Sequence, residues 1–591
     1  MKKFLVVLLC FIGGVTVLLV GITAMFWILS LATSPGVSSH TVLQVNLEIP
    51  FLESLPDDPV ASFTLRGTPT VLEFVQALDR AGRDPRVEGL VARIGAGGHG
   101  MAVTQELRDA VMAFRDNGKF ALAYSETFGD NGPGNGGYYL ATAFDEIYLL
   151  PSGDVGLTGL ILEHPFLRGT FELLGITPRM DQRHEYKNAM NFYTHEAFTD
   201  AHREAMQHMM DSWFGQIASG IADARGMSAD EVRALADAGP YYGQDAVDNG
   251  LVDGLAYRDE LYDKIEERVS GDVDYLYLDT YLERTDASFG QGPTIALIYG
   301  QGTVMRGKSR YAAMSGEFVM GSDTVSRAFR DAVDHPGVEA ILFRVNSPGG
   351  SYPASDAIHR ETVRAREAGI PVIVSMGNYA ASGGYFVAMD ADRIVAQPGT
   401  LTGSIGVLGG KFVNREMWKK IGMTFDSVQT SRNADMWSSL EDYSDEGWAR
   451  FQGWLDRVYE DFTAKVAAGR DLPLEDVLEI AKGRVWTGED ALAVGLVDEL
   501  GGFTRALELA KEAAGIDPDS GIRLQLFPRR RSPLEMFWDM DSSLEGPRTT
   551  SEVMAETLRQ VQPYGRVAAD VLIGPAQRGI LSVPFLYYLP R

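Results

Sequence analysis

The heptapeptide Asp84-Pro85-Arg86-Val87-Glu88-Gly89-Leu90 returns about 250 residues later as His335-Pro336-Gly337-Val338-Glu339-Ala340-Ile341. Gly136-Gly137-Tyr138-Tyr139-Leu140-Ala141 returns as Gly383-Gly384-Tyr385-Phe386-Val387-Ala388. Gly243-Gln244-Asp245-Ala246, closing on Gly250-Leu251-Val252-Asp253, returns as Gly488-Glu489-Asp490-Ala491, closing on Gly495-Leu496-Val497-Asp498. A near-constant period of this length marks a duplicated domain, not a solenoid of short repeats. Working outward, TVLQVNL at 41–47 and TIALIYG at 294–300 read as matching strands. Three further pairs read the same way: 89–95 with 340–346, 121–125 with 371–376, and 145–151 with 392–398. Helical stretches separate them, including long amphipathic ones at about 197–225 and 444–469. Alternating strands and helices predict an α/β fold, each copy a mostly parallel sheet with helices outside. The expected division is a copy at 41–257, a connecting segment at 258–290, a second copy at 291–520, and a tail at 521–591 with no assigned role.

The chain has 591 residues, and 45% apolar content supports a large core. A net charge of −27 argues against nucleic acid as a partner. The single cysteine, Cys10, excludes an intramolecular disulfide and a cysteine-ligated zinc site. Large apolar residues before Cys10 argue against lipid attachment there. After Met1-Lys2-Lys3, residues 4–32 are uncharged and mostly apolar. As a helix they would be about 43 Å long, more than a bilayer core of about 30 Å requires. A cleaved signal peptide needs an apolar region of only about 7–15 residues. Residues 1–32 are therefore expected to be an uncleaved transmembrane anchor, followed by a linker at 33–40. Lys2 and Lys3 would stay cytoplasmic, and the body would lie on the other side of the membrane.

The copies differ where chemistry is expected. Thr402-Gly403-Ser404-Ile405-Gly406 places a serine between glycines, which permit an unusual turn and close approach of a substrate backbone. The first copy has Leu157 at that place. Asn346-Ser347-Pro348-Gly349-Gly350-Ser351 follows a buried strand, and its glycine amides suit an oxyanion. The same stretch also fits a plain strand–helix turn. A nucleophilic serine needs a base. All nine histidines lie at or before His359, and both His335 and His359 read as surface residues. Lysine serves instead when burial leaves it neutral. Lysines make up only about a dozen of the 53 basic residues, and arginine does not deprotonate. Lys187, in Glu185-Tyr186-Lys187-Asn188-Ala189-Met190 of the first copy, stands out; a Ser431-Arg432 stretch holds its place in the second. Glu185 reads as a solvated neighbour. Ser382, in Ala380-Ala381-Ser382-Gly383-Gly384, is the rival nucleophile, with Asn135 as its counterpart.

These motifs, with Tyr-Lys-Asn-Ala at 186–189 and Leu-Thr-Gly-Ser-Ile-Gly-Val at 401–407, resemble the signal peptide peptidase A (protease IV) family of the long double-domain type, over about residues 1–520. The resemblance implies a tandem of crotonase/Clp-protease-like domains. It implies Ser404 as nucleophile, Lys187 as general base, and Gly349 and Gly350 amides as the oxyanion hole. It further implies no metal or cofactor. The expected substrates are released signal peptides and unfolded polypeptide, cut by a homo-oligomer, a tetramer by resemblance, on the outer face of the bacterial inner membrane. A Clp-type enzyme would use Ser382 with a histidine just before the Gln-Pro of the next strand's end. Here that place reads Val395-Ala396-Gln397-Pro398, so Ser382 is expected only to pack or to line the substrate. Two other readings remain open: a crotonase-type acyl-CoA enzyme and a non-catalytic membrane scaffold.

Overall fold

The computed structural model describes residues 36–529 and Gly21, apart from 57–64, 66, 270, 286–291 and 313–315. The expected anchor and the tail from residue 530 lie outside the described residues. Among the described residues, no helix is long and apolar enough to cross a membrane.

Two sheets embody the repeat. The first runs Gly254–Leu255, Glu146–Leu149, Phe120–Ser125, Val87–Arg93, Thr41–Asn46, Asp274–Tyr277, with all neighbours parallel. The second runs Val485–Thr487, Leu401–Gly403, Val372–Ala381, Val338–Ser347, Thr294–Gln301, Arg523–Phe527, and Arg393–Ala396 branches from Val372–Ala381 toward Glu499–Leu500. Only Val485–Thr487 is antiparallel to its neighbour in this sheet. Helices cover both faces, so the central strands are nearly continuous apolar runs. Leu90, Ala92, Ile341, Leu342, Phe343, Ile373 and Val374 are wholly buried.

The main strands and the long helices of the copies match, whereas the strands Thr177–Gln182 and Leu408–Val413 have counterparts that form no strand. Helices Asp200–Arg225 and Asp445–Arg470 have 26 residues each. Thr199 and Ser444 cap them by accepting the backbone N–H three residues on, and left-handed Gly226 and Asp471 stop them. Two expectations about boundaries change. Residues 258–285 are not a connection: Arg258–Val269 packs on the first sheet, and Asp274–Tyr277 pairs with Thr41–Asn46. Likewise Arg523–Phe527, assigned to the tail, pairs with Thr294–Gln301. Each copy thus ends by adding a parallel strand beside its own first strand.

The copies are joined at many points, three of them central to the seam. Thr177–Gln182 of the first pairs antiparallel with Leu408–Val413 of the second. Met206, Met209 and Met210 pack against Ala381, Leu401 and Val485. Arg344, buried on the second sheet, donates to Glu53 at 2.9 and 3.1 Å and to Glu106 at 2.7 Å, both from the first copy.

Candidate active site

Ser404 follows the short strand Leu401–Gly403, and its amide donates to the Arg484 carbonyl at 2.7 Å. Gly403 and Ser404 both have left-handed backbones, φ 70° and 50°. For serine this conformation is strained and must be held by its surroundings. The flanking glycines are required by the protein's own packing. A Cβ on Gly403 would lie 2.8 Å from Trp486, and one on Gly406 would lie 2.8 Å from Gly483 and 3.3 Å from Lys187.

Lys187 is carried to this turn by the antiparallel ribbon. Beyond Gln182, Arg183 donates to the Val407 carbonyl at 2.9 Å, and Tyr186 to the Lys482 carbonyl at 3.2 Å. Gly483, at φ 81°, lies against the Lys187 backbone, where a Cβ would meet the Lys187 nitrogen at 2.5 Å. Lys187 is 1% exposed. Its Nζ lies 3.0 Å from Ser404 Oγ, 2.8 Å from the Ser404 carbonyl and 2.8 Å from Ser382 Oγ, all within one chain. Burial draws its pKa down from 10.5 to about 7. Glu185 points into solvent.

Ser382 plays a larger part than packing. It is wholly buried, sits at φ 56° between strand Val372–Ala381 and helix Gly383–Phe386, and shares the lysine with Ser404. A Cβ on Gly384 would lie 2.5 Å from the Ser347 carbonyl, and one on Gly383 would lie 2.9 Å from the Gly350 nitrogen. The Asn346–Gly350 turn therefore closes directly on the residues after Ser382. Its two glycine amides differ. Gly349 N–H donates to Ser347 Oγ at 3.2 Å. Gly350 bridges to Val304 through its neighbours, the Gly349 carbonyl and the Ser351 N–H, so its own amide faces away from Val304.

The histidines stand elsewhere. His335 accepts from the Gly337 amide. His359, expected at the surface, is 7% exposed, bonded to Asp390 and packed on Phe386. Among the described residues, Ser404 Oγ has two partners, Lys187 Nζ and the Gly483 carbonyl at 3.5 Å. The described residues hold no group of three or more histidine, cysteine or acidic side chains placed for a metal. Sequence reading missed the Lys482-Gly483-Arg484 stretch that touches both Lys187 and Ser404. Its only signal was that Arg484 stands where the first copy has Gly239.

Comparison with known proteins follows the same division. The model of peptidase family S49 matches residues 113–271 and again 364–517. The chain is 30% identical over 516 residues to the chloroplastic serine protease SPPA of Arabidopsis thaliana, covering 86% of this chain and 75% of that one. It is 33% identical over 457 residues to Protease 4 of Salmonella typhi, covering 75% and 72%. It is 30% identical over 473 residues to Protease 4 of Haemophilus influenzae, covering 77% and 74%.

Proposed function

Because this chain belongs to peptidase family S49 and is a serine peptidase, we propose that it cleaves peptide bonds with a Ser404–Lys187 dyad. The observation that carries this reading is the buried amine 3.0 Å from the Ser404 hydroxyl, with no carboxylate beside it. A neutral amine has two N–H donors and one lone pair. The Ser404 carbonyl can only accept, so it takes one N–H, and Ser382 Oγ takes the second. The lone pair is left for the Ser404 hydroxyl proton. Ser404 Oγ attacks the scissile carbonyl as Lys187 receives that proton. The carbonyl oxygen becomes an oxyanion, held by backbone N–H groups, Gly350 foremost. Collapse expels the amine, which takes the proton from Lys187 and leaves an acyl ester on Ser404. Water, deprotonated by the same lysine, then releases the acid. Ser382 positions the lysine throughout.

The proposed substrates are released signal peptides and unfolded polypeptide, reached by a body anchored through residues 1–32 on the outer face of a bacterial inner membrane. The apolar length of that segment, behind two lysines, supports the anchor. The proposed assembly is a ring of identical chains, with the internal duplication as its support. The strand Leu408–Val413 has its counterpart at 161–166, and Thr177–Gln182 at 424–429. Both counterparts are coil in the single chain, with Ile161 67% and Val428 fully exposed.

Cleavage of casein and of a signal-peptide substrate tests the chemistry. Ser404→Ala and Lys187→Ala are expected to be inactive yet folded, and Ser382→Ala to be slowed but active. Cleavage that survives in Ser404→Ala, or full loss in Ser382→Ala with Ser404→Ala active, transfers the nucleophile to Ser382.

A further inference from the structure

The tripeptide Lys482-Gly483-Arg484 touches both halves of the dyad. The Lys482 carbonyl accepts from Tyr186, Gly483 lies on Lys187, and the Arg484 carbonyl accepts from Ser404. Gly483 also donates to the Ile405 carbonyl at 2.8 Å. Any shift of this tripeptide moves the base and the nucleophile relative to each other. The Arg484 side chain fixes it from the far side. Its guanidinium forks onto Glu204 Oε1 and Oε2 at 2.8 and 2.9 Å, and Glu204 belongs to helix Asp200–Arg225 of the first copy. The same group lies 4.9 Å over the Tyr186 ring and 4.8 Å over Trp486. Trp486 is itself tied by its indole N–H to the Ile480 carbonyl at 3.0 Å. Arginine alone supplies both the planar stack and the two-pronged donor.

The duplication isolates the function of this contact. Where the second copy has Arg484-Val485-Trp486, the first has Gly239-Pro240-Tyr241. Leu157 stands there in place of Ser404, and the counterpart of Lys187 is Arg432, 90% exposed. At this position arginine stands in the copy that carries Ser404, and glycine stands in the copy that carries Leu157.

We propose that Arg484 is a positioning residue for peptide cleavage: through Glu204 and Tyr186 it clamps the lysine-bearing loop of the first copy onto the serine turn of the second. This rests on the Ser404–Lys187 reading. The clamp sets the approach of the amine to the hydroxyl and keeps water from the amine, so its loss acts on the reaction step and not on substrate binding. A hydrated Lys187 regains a higher pKa, and activity, which needs the neutral amine, then rises only at higher pH.

The test measures kcat and KM across pH 5.5–10 for a peptide substrate, with melting curves, on the full chain carrying Arg484→Gln, Arg484→Lys, Glu204→Gln, Ser404→Ala or none. Arg484→Gln is expected to lower kcat by about tenfold or more with KM changed less than about twofold. Its acid limb is expected to move alkaline by about one pH unit. Glu204→Gln should shift the same way, less far, and Arg484→Lys should not restore the wild-type limb. If Arg484→Gln does not fold, Glu204→Gln, half exposed, carries the test. The proposal is overturned if the folded variants keep the wild-type limb, whether kcat holds or merely falls with stability. Activity in Ser404→Ala removes the dyad and this clamp together. An inactive Ser404→Ala beside an unmoved Arg484→Gln removes the clamp alone.

Discussion

Lys187 destabilises the fold that holds it. The unfolded chain keeps this lysine protonated up to about 10.5, whereas the native chain releases the proton near 7. Between those values the unfolded state binds more protons, so native stability rises with pH across the window and is lowest, through this group, at and below pH 7. Lys187→Met is therefore expected to raise stability at pH 7 by about 1–3 kcal/mol after its hydrogen bonds are subtracted, seen as a higher Tm, and to gain little at pH 10. Calorimetry of both proteins at the two pH values checks this; a gap of equal size at both would mean that the native amine stays charged. Ser404 and Lys187 were legible because duplication exposes a difference: each copy lacks the other's residue. Ser382 was legible as a polar position, not as a partner of the lysine, because that contact spans 195 residues and depends on a turn at φ 56°. Arg344 was hidden for a related reason. A lone arginine in AILFRVN gives no sign of the two carboxylates that meet it from the other copy.

Elements bring these residues together, and their legibility followed their composition. The long apolar strands were readable to within a few residues. Val372–Ala381 runs past the expected end at Met376 because a shifted register carries it through Gly377-Asn378 to Ala381, where it delivers Ser382. The closing strands Asp274–Tyr277 and Arg523–Phe527 are short and flanked by charge, so nothing local separated them from linker and tail. The Thr177–Gln182 ribbon has no apolar alternation; its pairing with Leu408–Val413 fixes it. Gly483 is where this element-level placement is most sensitive. Gly483→Ala would put Cβ 2.5 Å from Lys187 backbone atoms, which no rotamer change relieves. The expected result is a loss of about 1–3 kcal/mol and at least about a hundredfold in kcat, since an ångström of misplacement has that effect. Gly118→Ala is the control. It carries the same backbone strain, φ 80° against 81°, with nothing within 4 Å, so it should lose stability and keep its activity. Equal activity in the two variants would show that Gly483 supplies only backbone freedom.

The whole molecule is two copies joined at one seam, and the charges buried there make it sensitive to the loss of one partner. Burial raises the Glu106 pKa, partly opposed by the Arg344 charge. Arg344→Leu leaves Glu53 and Glu106 without their counter-charge and is expected to cost about 3–5 kcal/mol in denaturant melts, while adding Glu53→Gln and Glu106→Gln should recover much of that loss. The same seam predicts the assembly. Residues 408–413 of one copy pair with 177–182 of the other, and among the described residues the matching stretches 161–166 and 424–429 form no strand. In the observed register Gly409 faces Asp181, which by the repeat places Leu162 opposite Val428 of a neighbouring chain. That contact is head-to-tail, so it gives a ring if the rotation closes and a filament if it does not. The mass of a closed ring stops growing as concentration rises, whereas that of a filament does not. Val428→Asp puts a charge at the centre of the pairing, and light scattering is expected to find single chains. Because Lys187 and Ser404 meet within one chain, those single chains should still cleave a short peptide at close to the parental rate. An unchanged mass would place the contact on another surface. Single chains without activity would mean that the ring, and not the chain alone, holds the seam in register.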